Sequence, residues 1–218
     1  MQDVPGNWRH AYEEALKQFQ RQPNPYRVAE NTGAAFQPEP GGKQGRFSLS
    51  YCGEEYVISY PEGRIYPAGD PQGEVPPSVQ TCILLYMAQA VPIPRGQGWK
   101  TFKDLPQGYH HWAPFVLEAL DPLVKGFGND LAALARAAQA LGGRPVAAGD
   151  AGYEFAVLPR IDLQVIMWAG DDEFPPKANI LFNETCVMQL DTATLYMIGI
   201  DLSRRLLHQA GKLHPGAS

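Results

Sequence analysis

Hydrophobic positions recur at helical spacing near both ends of the chain. They predict an N-terminal helix over residues 7–21, which ends before Pro23 because proline has no N–H to donate. Near the C-terminus, Asp191 or Thr192 is suited to cap a last helix. Three more helices are predicted between them, over residues 78–90 and 109–125 and after a cap at Asn129 or Asp130.

Strand patterns occur in two parts of the chain. Apolar and polar residues alternate within residues 46–60, which predicts a hairpin, and they alternate again over residues 153–157. Residues 163–168 are almost continuously apolar, a pattern typical of a central strand buried on both faces. We therefore expect an α+β fold with one mixed or antiparallel sheet, built from residues 46–60 and 153–168, and helices packed mainly on one face.

Other stretches carry weaker signals. Residues 31–45 are rich in glycine and proline and predict a loop or the start of a hairpin, while residues 179–190 are ambiguous. The length of 218 residues suits one domain, which we assign to residues 1–218. Within it, residues 210–218 are expected to form a loose tail.

Composition and charge exclude several classes of protein. The net charge of -5 and the absence of a basic run argue against nucleic-acid binding, which needs clustered Lys and Arg. The most apolar run, residues 82–88, is far shorter than the roughly 20 residues that cross a bilayer. No signal-peptide pattern opens the sequence, so we expect a cytoplasmic protein without a membrane segment.

The three cysteines, Cys52, Cys82 and Cys186, are far apart and form no Cys-x-x-Cys pair. That spacing argues against a disulfide scaffold and against a local zinc or iron–sulfur site. Free thiols in a reducing compartment are the simplest interpretation.

An ordered series of short motifs covers most of the chain. The strongest is WAGDDEFP at residues 168–175, and another is GWKTFKDLPQG at residues 98–108. The others, in chain order, are Ile83–Met87, Phe127-Gly128, Leu141–Gly143, Gly149-Asp150, Val157–Arg160 and Ile180–Asn183. In this order and spacing, from about residue 10 to residue 207, the chain resembles the domain-of-unknown-function family 3786, found mainly in anaerobic bacteria and archaea.

The resemblance implies a cytoplasmic single domain and an anaerobic host, and it suggests a link to corrinoid-dependent or one-carbon metabolism. One position departs from the family pattern. An aspartate is expected after the Leu-Phe pair of the last motif, and this chain has Asn183. If that aspartate binds a ligand or ionises in relatives, this protein lacks the charge.

Three adjacent carboxylates, Asp171, Asp172 and Glu173, follow the predicted central strand, which ends at Trp168. Ligands of sheet proteins often bind where strands end, so we predict a ligand site formed by these four residues. Carboxylates bind cations through oxygen, or act as bases when their pKa is raised. The alternative is a solvated turn in which they accept hydrogen bonds from backbone N–H groups.

A second candidate ligand site lies at the start of the predicted 109–125 helix. Its residues are Tyr109, His110, His111 and Trp112. Adjacent helical residues point about 100° apart, so the two histidines rarely chelate one metal together, but one could reach a metal or a tetrapyrrole. Its aromatic rings, together with Trp99 and Phe102 just before them, could line a pocket for a flat ligand or belong to the core.

The sequence leaves three hypotheses about function. The first is a ligand-binding or accessory protein of anaerobic metabolism, which binds a small molecule or a partner protein. The second is a metal-dependent, hydrolase-like enzyme that uses the carboxylates of residues 171–173 with His111. No metal site is predicted outright, and Asp172, Glu173 and His111 are the candidate ligands. The third is a structural protein that forms oligomers, such as a homodimer, through its aromatic surface. Catalysis and cofactors are left open.

Overall fold

The computed structural model describes residues 5–42 and 44–212. The first sheet is antiparallel with strands in chain order: β1 (Ala35–Pro38), β2 (Gly45–Tyr51), β3 (Glu54–Tyr60) and β4 (Ile65–Pro67). The second, also antiparallel, has the order β5 (Trp99–Thr101), β9 (Lys177–Asn183), β8 (Ile161–Trp168), β7 (Ala151–Leu158) and β6 (Arg144–Val146). This architecture confirms the predicted α+β class.

The α-helices lie at both ends of the chain and between the strands. They are α1 (Pro5–Gln20), α2 (Pro25–Thr32), α3 (Pro77–Gln89), α4 (Trp112–Phe115), α5 (Asp121–Phe127), α6 (Leu131–Ala140) and α7 (Thr192–Gln209). Short 3-10 turns cover Phe102–Asp104, Gly108–His111 and Cys186–Met188, and a π-helical turn covers Val116–Leu120. The N-terminal helix therefore agrees with the predicted 7–21 to within two residues. Of the predicted tail, residues 213–218 lie outside the described residues.

The prediction of one sheet is wrong, because residues 46–60 and 153–168 lie in different sheets. The two sheets meet where the Cys52 N–H donates to the Val157 carbonyl, at 2.9 Å. Period-2 alternation identifies a strand and its buried face, but it carries no information about which strand lies alongside. One hydrophobic core nevertheless contains side chains from both sheets, including Phe47 and Phe155. The assignment of a single domain stays a prediction.

The predicted central strand is confirmed. β8 is the third of five strands, and its first seven residues are buried. The helical side of this sheet is aromatic: Phe182 of β9 lies 6.1 Å from Phe115 of α4 and 5.9 Å from Phe102, measured between ring centroids. Gly199 of α7 allows this close packing, since a Cβ there would lie 2.8 Å from the Phe115 ring.

The predicted 109–125 helix is present, since α4, the π-helical turn and α5 follow one another without a break from Trp112 to Phe127. Its predicted first residues form the 3-10 turn Gly108–His111 instead, and no side chain of a described residue caps this turn or the start of α4. The π-helical turn ends at Leu120, two residues before Pro122. Because Pro122 has no N–H to donate, one backbone hydrogen bond of the helix is missing at this point. By contrast, α6 and α7 begin at predicted caps. The Asp130 side chain accepts from Ala133 N, and the Asp191 side chain accepts from Thr194 N.

Candidate functional site

A cleft of about 490 Å³ lies between α2, the chain that follows α1, and the C-terminal end of α3. Its lining combines amide side chains with small apolar ones. The lining residues are Gln22, Pro23, Asn24, Arg27, Val28, Asn31, Ala88, Gln89, Ala90 and Val91. None of them belongs to the two candidate sites that the sequence predicted.

Helix α2 forms one wall of the cleft and is fixed at its N-terminus by its own cap. The Asn24 side chain accepts hydrogen bonds from the backbone N–H groups of Tyr26 and Arg27, at 3.0 and 3.3 Å. Pro25 occupies the first turn, where a missing N–H has no consequence. The two prolines that flank Asn24 therefore separate α1 from α2 without preventing a second helix.

The C-terminal end of α2 is held from outside the helix. The Arg160 side chain donates to the carbonyls of Asn31 at 2.6 Å and Glu30 at 2.9 Å. The buried Tyr86 hydroxyl of α3 donates to the Thr32 carbonyl at 2.6 Å. These bonds satisfy carbonyls that a helix end leaves free, so the wall of the cleft is anchored at both ends.

Besides Asn24, which caps α2, two of the amides that line the cleft are already bonded. Gln22 donates through Nε2 to the Ala88 carbonyl at 3.2 Å, and Gln89 donates to the Gln18 side-chain oxygen at 3.0 Å. Arg27 is the only charged residue in the lining. Its exposed guanidinium forms no ion pair or hydrogen bond with any other described residue.

The carboxylates predicted to form a ligand site lie on an exposed turn after β8. Asp171 accepts from the N–H groups of Glu173 and Phe174, at 2.9 and 2.7 Å, which is the hydrogen-bonded turn considered as the alternative. Asp172 and Glu173 are exposed, and their side chains form no hydrogen bond or ion pair with described residues. Trp168, at the end of β8, is 39% exposed.

The second predicted site lies on the 3-10 turn Gly108–His111 and the start of α4. Tyr109 is 76% exposed, and His110 and His111 are exposed as well. Trp112 is half-buried against the core, with Lys103 Nζ 6.0 Å from its ring. Within the described residues, no hydrogen bond, ion pair or ring contact connects this segment with residues 168–174. The ligand-site assignments of both segments stay predictions.

Groups for metal or thiol chemistry are not assembled in the described part of the chain. It contains no group of three or more His, Cys, Asp or Glu side chains placed to hold a metal ion. The candidate ligands Asp172, Glu173 and His111 therefore gain no support from the geometry. All three cysteines are buried and free. Burial raises the pKa of Cys186 to about 12 and also raises that of Cys52 and Cys82, which disfavours the nucleophilic thiolate.

Comparison with known proteins gives one result. The family model described as "Domain of unknown function (DUF3786)" matches residues 24–205. The chain belongs to the DUF3786 family. No curated protein and no solved structure matches it.

The DUF3786 match includes every residue of the cleft lining except Gln22 and Pro23, and it includes both predicted sites. Sequence reasoning missed the cleft because it missed α2. A signal was present: Asn24 followed by Pro25 is a helix start, and Gly33 is a helix end with φ of 75°. In the described residues of this DUF3786 protein, no helix is long and apolar enough to cross a membrane.

Asn183 has a structural role in this DUF3786 protein. Its side chain is buried, and its Nδ2 donates to the Gly96 carbonyl at 2.9 Å. Its Oδ1 accepts from the backbone N–H and the hydroxyl of Thr185, at 3.2 and 2.7 Å. Glu184 holds the same loop by accepting from Gly98 N at 2.9 Å. The amide nitrogen donates and the amide oxygen accepts, so both ends of the side chain are hydrogen-bonded. An ionised aspartate at this position could not donate to the Gly96 carbonyl.

We expect Asn183→Asp to lower the free energy of unfolding at pH 7 by about 1–3 kcal/mol, since a buried carboxylate would face the Gly96 carbonyl. Protonation would restore a donor. The pKa of the carboxyl that Asn183→Asp introduces should therefore be raised in the folded variant. The difference in free energy of unfolding between wild type and variant should shrink as the pH falls through that pKa. Urea unfolding at pH 7 and pH 5 measures both effects. Equal stability of variant and wild type at pH 7 would refute this role of the amide.

Proposed function

We propose that this DUF3786 protein is a ligand-binding or accessory protein that holds a small molecule in the cleft between α2, the chain that follows α1, and the C-terminal end of α3. The observation that carries the proposal is the cleft itself. Its volume of about 490 Å³ lies within the range of roughly 300–1,000 Å³ that small-molecule sites occupy. Five polar and five small apolar residues line it, so it offers both hydrogen-bonding groups and apolar surface to a ligand.

The composition of the lining favours binding over catalysis. Among the residues that line the cleft there is no carboxylate, histidine, cysteine or hydroxyl side chain. General acid–base catalysis and covalent catalysis depend on such groups. The Arg27 guanidinium and the amide groups that are not already bonded can recognise polar groups of a ligand by hydrogen bonding, which is sufficient for a binding or accessory role.

The proposal predicts that filling the cleft abolishes ligand retention. Ala88 lies in α3 and lines the cleft, so Ala88→Phe should occupy part of its volume. The purified protein is dialysed to equilibrium against a small-molecule extract of anaerobically grown bacteria, and retained compounds are identified by mass spectrometry. We expect at least one compound to be retained by the wild type and lost in Ala88→Phe. Ala132→Phe, at an exposed position of α6, is the matched control and should retain it.

The same experiment separates the cleft from the two sites predicted from sequence. Trp168→Ala and Asp172→Ala should leave retention unchanged if the cleft is the binding site. Loss of the compound in these variants, with retention in Ala88→Phe, would instead place the ligand at the end of β8. If the wild type retains no compound, the proposal is wrong.

The other hypotheses have separate tests. Elemental analysis of the purified protein tests the metal-dependent hydrolase, and visible absorption after anaerobic purification tests a corrinoid ligand. The oligomerising protein is favoured by one observation: Tyr109 on the 3-10 turn and Leu117 on the π-helical turn are 76% and 68% exposed. Sedimentation of the wild type measures the oligomeric state directly.

A further inference from the structure

We infer that the ligand of this cleft is a small organic anion whose carboxylate or phosphate group binds to Arg27. The inference rests on the proposed binding function and adds the chemical class of the ligand. It depends on the charge of the lining, on the free guanidinium, and on the apolar surface that remains.

The charge of the lining has one sign. The protein has 23 acidic and 18 basic residues, yet no Asp or Glu lines the cleft and Arg27 does. A concave surface whose lining holds one cation and no carboxylate attracts anions and disfavours cations. The cleft is therefore an exception to the acidic character of the chain.

The Arg27 guanidinium is available to a ligand. Several other arginines of the described chain are held by carboxylates within 4 Å, namely Arg46, Arg95, Arg144 and Arg205. Among the described residues Arg27 has no such partner. The nearby backbone N–H groups of Tyr26 and Arg27 are bonded to Asn24, so the recognition of an anion falls to the side chain. The planar fork of a guanidinium matches carboxylate and phosphate with two parallel hydrogen bonds.

The rest of the lining limits the body of the ligand. Val28, Ala88, Ala90 and Val91 present short aliphatic side chains, and no aromatic residue lines the cleft. A flat ring system would find no stacking partner there. The arrangement instead suits a short aliphatic acid or phosphate ester, with its acidic group at Arg27 and its carbon chain against these side chains.

The test is an NMR titration of the ¹⁵N-labelled protein with four probes. Succinate is a dianion with a short carbon chain, inorganic phosphate has no carbon chain, succinamide is the neutral counterpart of succinate, and 1,4-diaminobutane is a cation. We expect succinate to shift the amide resonances of residues 27–31 and 88–91, more strongly than phosphate. We expect no saturable shift from succinamide or from the diamine.

Two arginine variants identify the anchor. Arg27→Gln should weaken succinate binding about tenfold or more, the usual effect of losing a hydrogen bond between charged groups, and Arg27→Lys should weaken it less. Arg21→Gln is the matched control, because Arg21 is also exposed and unpaired among the described residues but does not line the cleft. Both arginines are exposed, so unchanged thermal unfolding checks that the variants are folded.

The outcomes distinguish this inference from the proposed function. If succinamide binds as tightly as succinate, if Arg27→Gln leaves the affinity unchanged, or if neither anion shifts the cleft resonances, the ligand is not an anion held by Arg27. The proposed function still stands in those cases if a compound from the extract is retained by the wild type and lost in Ala88→Phe. If that retention is missing as well, both proposals are wrong.

Discussion

Phe102→Ala is expected to lower the free energy of unfolding by about 3–5 kcal/mol, the range for removing a large buried aromatic side chain. Phe102 is fully buried and stacks on Phe115, with ring centroids 4.3 Å apart and planes 16° apart. The rings of Phe182 and Tyr196 lie within 6 Å of it. The substitution would leave a cavity where a 3-10 turn, β9 and α7 meet, and the surrounding backbone cannot close it fully.

The measurement is urea unfolding of the wild type and the variant, followed by circular dichroism. Leu117→Ala is the surface control, because Leu117 is 68% exposed, and it should change the free energy of unfolding by no more than about 0.5 kcal/mol. Phe102→Leu keeps most of the volume and should lie between the two. A change below about 1 kcal/mol in Phe102→Ala would mean that the aromatic cluster contributes little to the core.

This cluster shows how far aromatic spacing can be interpreted. The ring-rich segment at 99–112 offered two alternatives from sequence, a pocket for a flat ligand or part of the core. In the structure the rings of this segment differ in burial: Phe102 is in the core, Trp112 is half-buried, and Tyr109 is exposed. The turn between them is tight, since a Cβ at Gly108 would collide with the Phe102 carbonyl. Such a backbone approach decides which ring points inward, and periodicity does not report it.

Elements with strong local signals were predicted well. The hairpin of β2 and β3, the buried strand β8 and the cap of α7 at Asp191 each depend on interactions between residues near one another in sequence. The separation into two sheets was not predictable in this way. It depends on which strand lies beside which, and the antiparallel pairing of β8 with β9 joins residues separated by a long turn. β9 itself was ambiguous because its buried and half-buried positions do not alternate strictly.

The candidate site had the opposite outcome, because its walls come from distant parts of the chain. Residues 22–31 and 88–91 are brought together by hydrogen bonds such as Gln22 to Ala88 and Tyr86 to Thr32. No local sequence pattern predicts these contacts. Acidic runs and histidine pairs indicate a candidate site from sequence alone, while amides and alanines do not. A cleft lined by amides and small apolar residues is therefore found only when the chain is folded.

The second large effect is expected for Arg205→Met, which should lower the free energy of unfolding at pH 7 by about 2–4 kcal/mol, below the value for a fully buried pair because the carboxylates are partly exposed. Arg205 of α7 pairs with Glu54 at 2.6 Å and with Asp201 at 2.8 Å. It also donates to the Tyr56 hydroxyl at 3.1 Å and lies 5.2 Å from the Tyr51 ring centroid. The variant would remove these polar contacts between α7 and the β2–β3 hairpin and leave two carboxylates without their cation.

The pH dependence gives this prediction a second readout. Burial acts to raise the pKa of Glu54, but hydrogen bonds from Tyr56 and Arg205 outweigh it, so the pKa is lower than its ordinary value of 4.5. A carboxyl with a lowered pKa in the folded state stabilises the protein above its unfolded pKa, and that contribution is lost as pH falls through the folded pKa. The gap between wild type and Arg205→Met should therefore be largest near pH 7 and should narrow below about pH 4.

Arg204→Met is the matched control for that comparison, because Arg204 is the exposed neighbour of Arg205 on α7 and forms no ion pair with described residues. Its unfolding free energy should follow that of the wild type at every pH. A gap between wild type and Arg205→Met that stays constant from pH 7 to pH 3.5 would show that the arginine acts through packing on Tyr51 rather than through charge. Because the methionine side chain retains much of the apolar contact with that ring, the narrowing isolates the ionic part of the link between α7 and the first sheet.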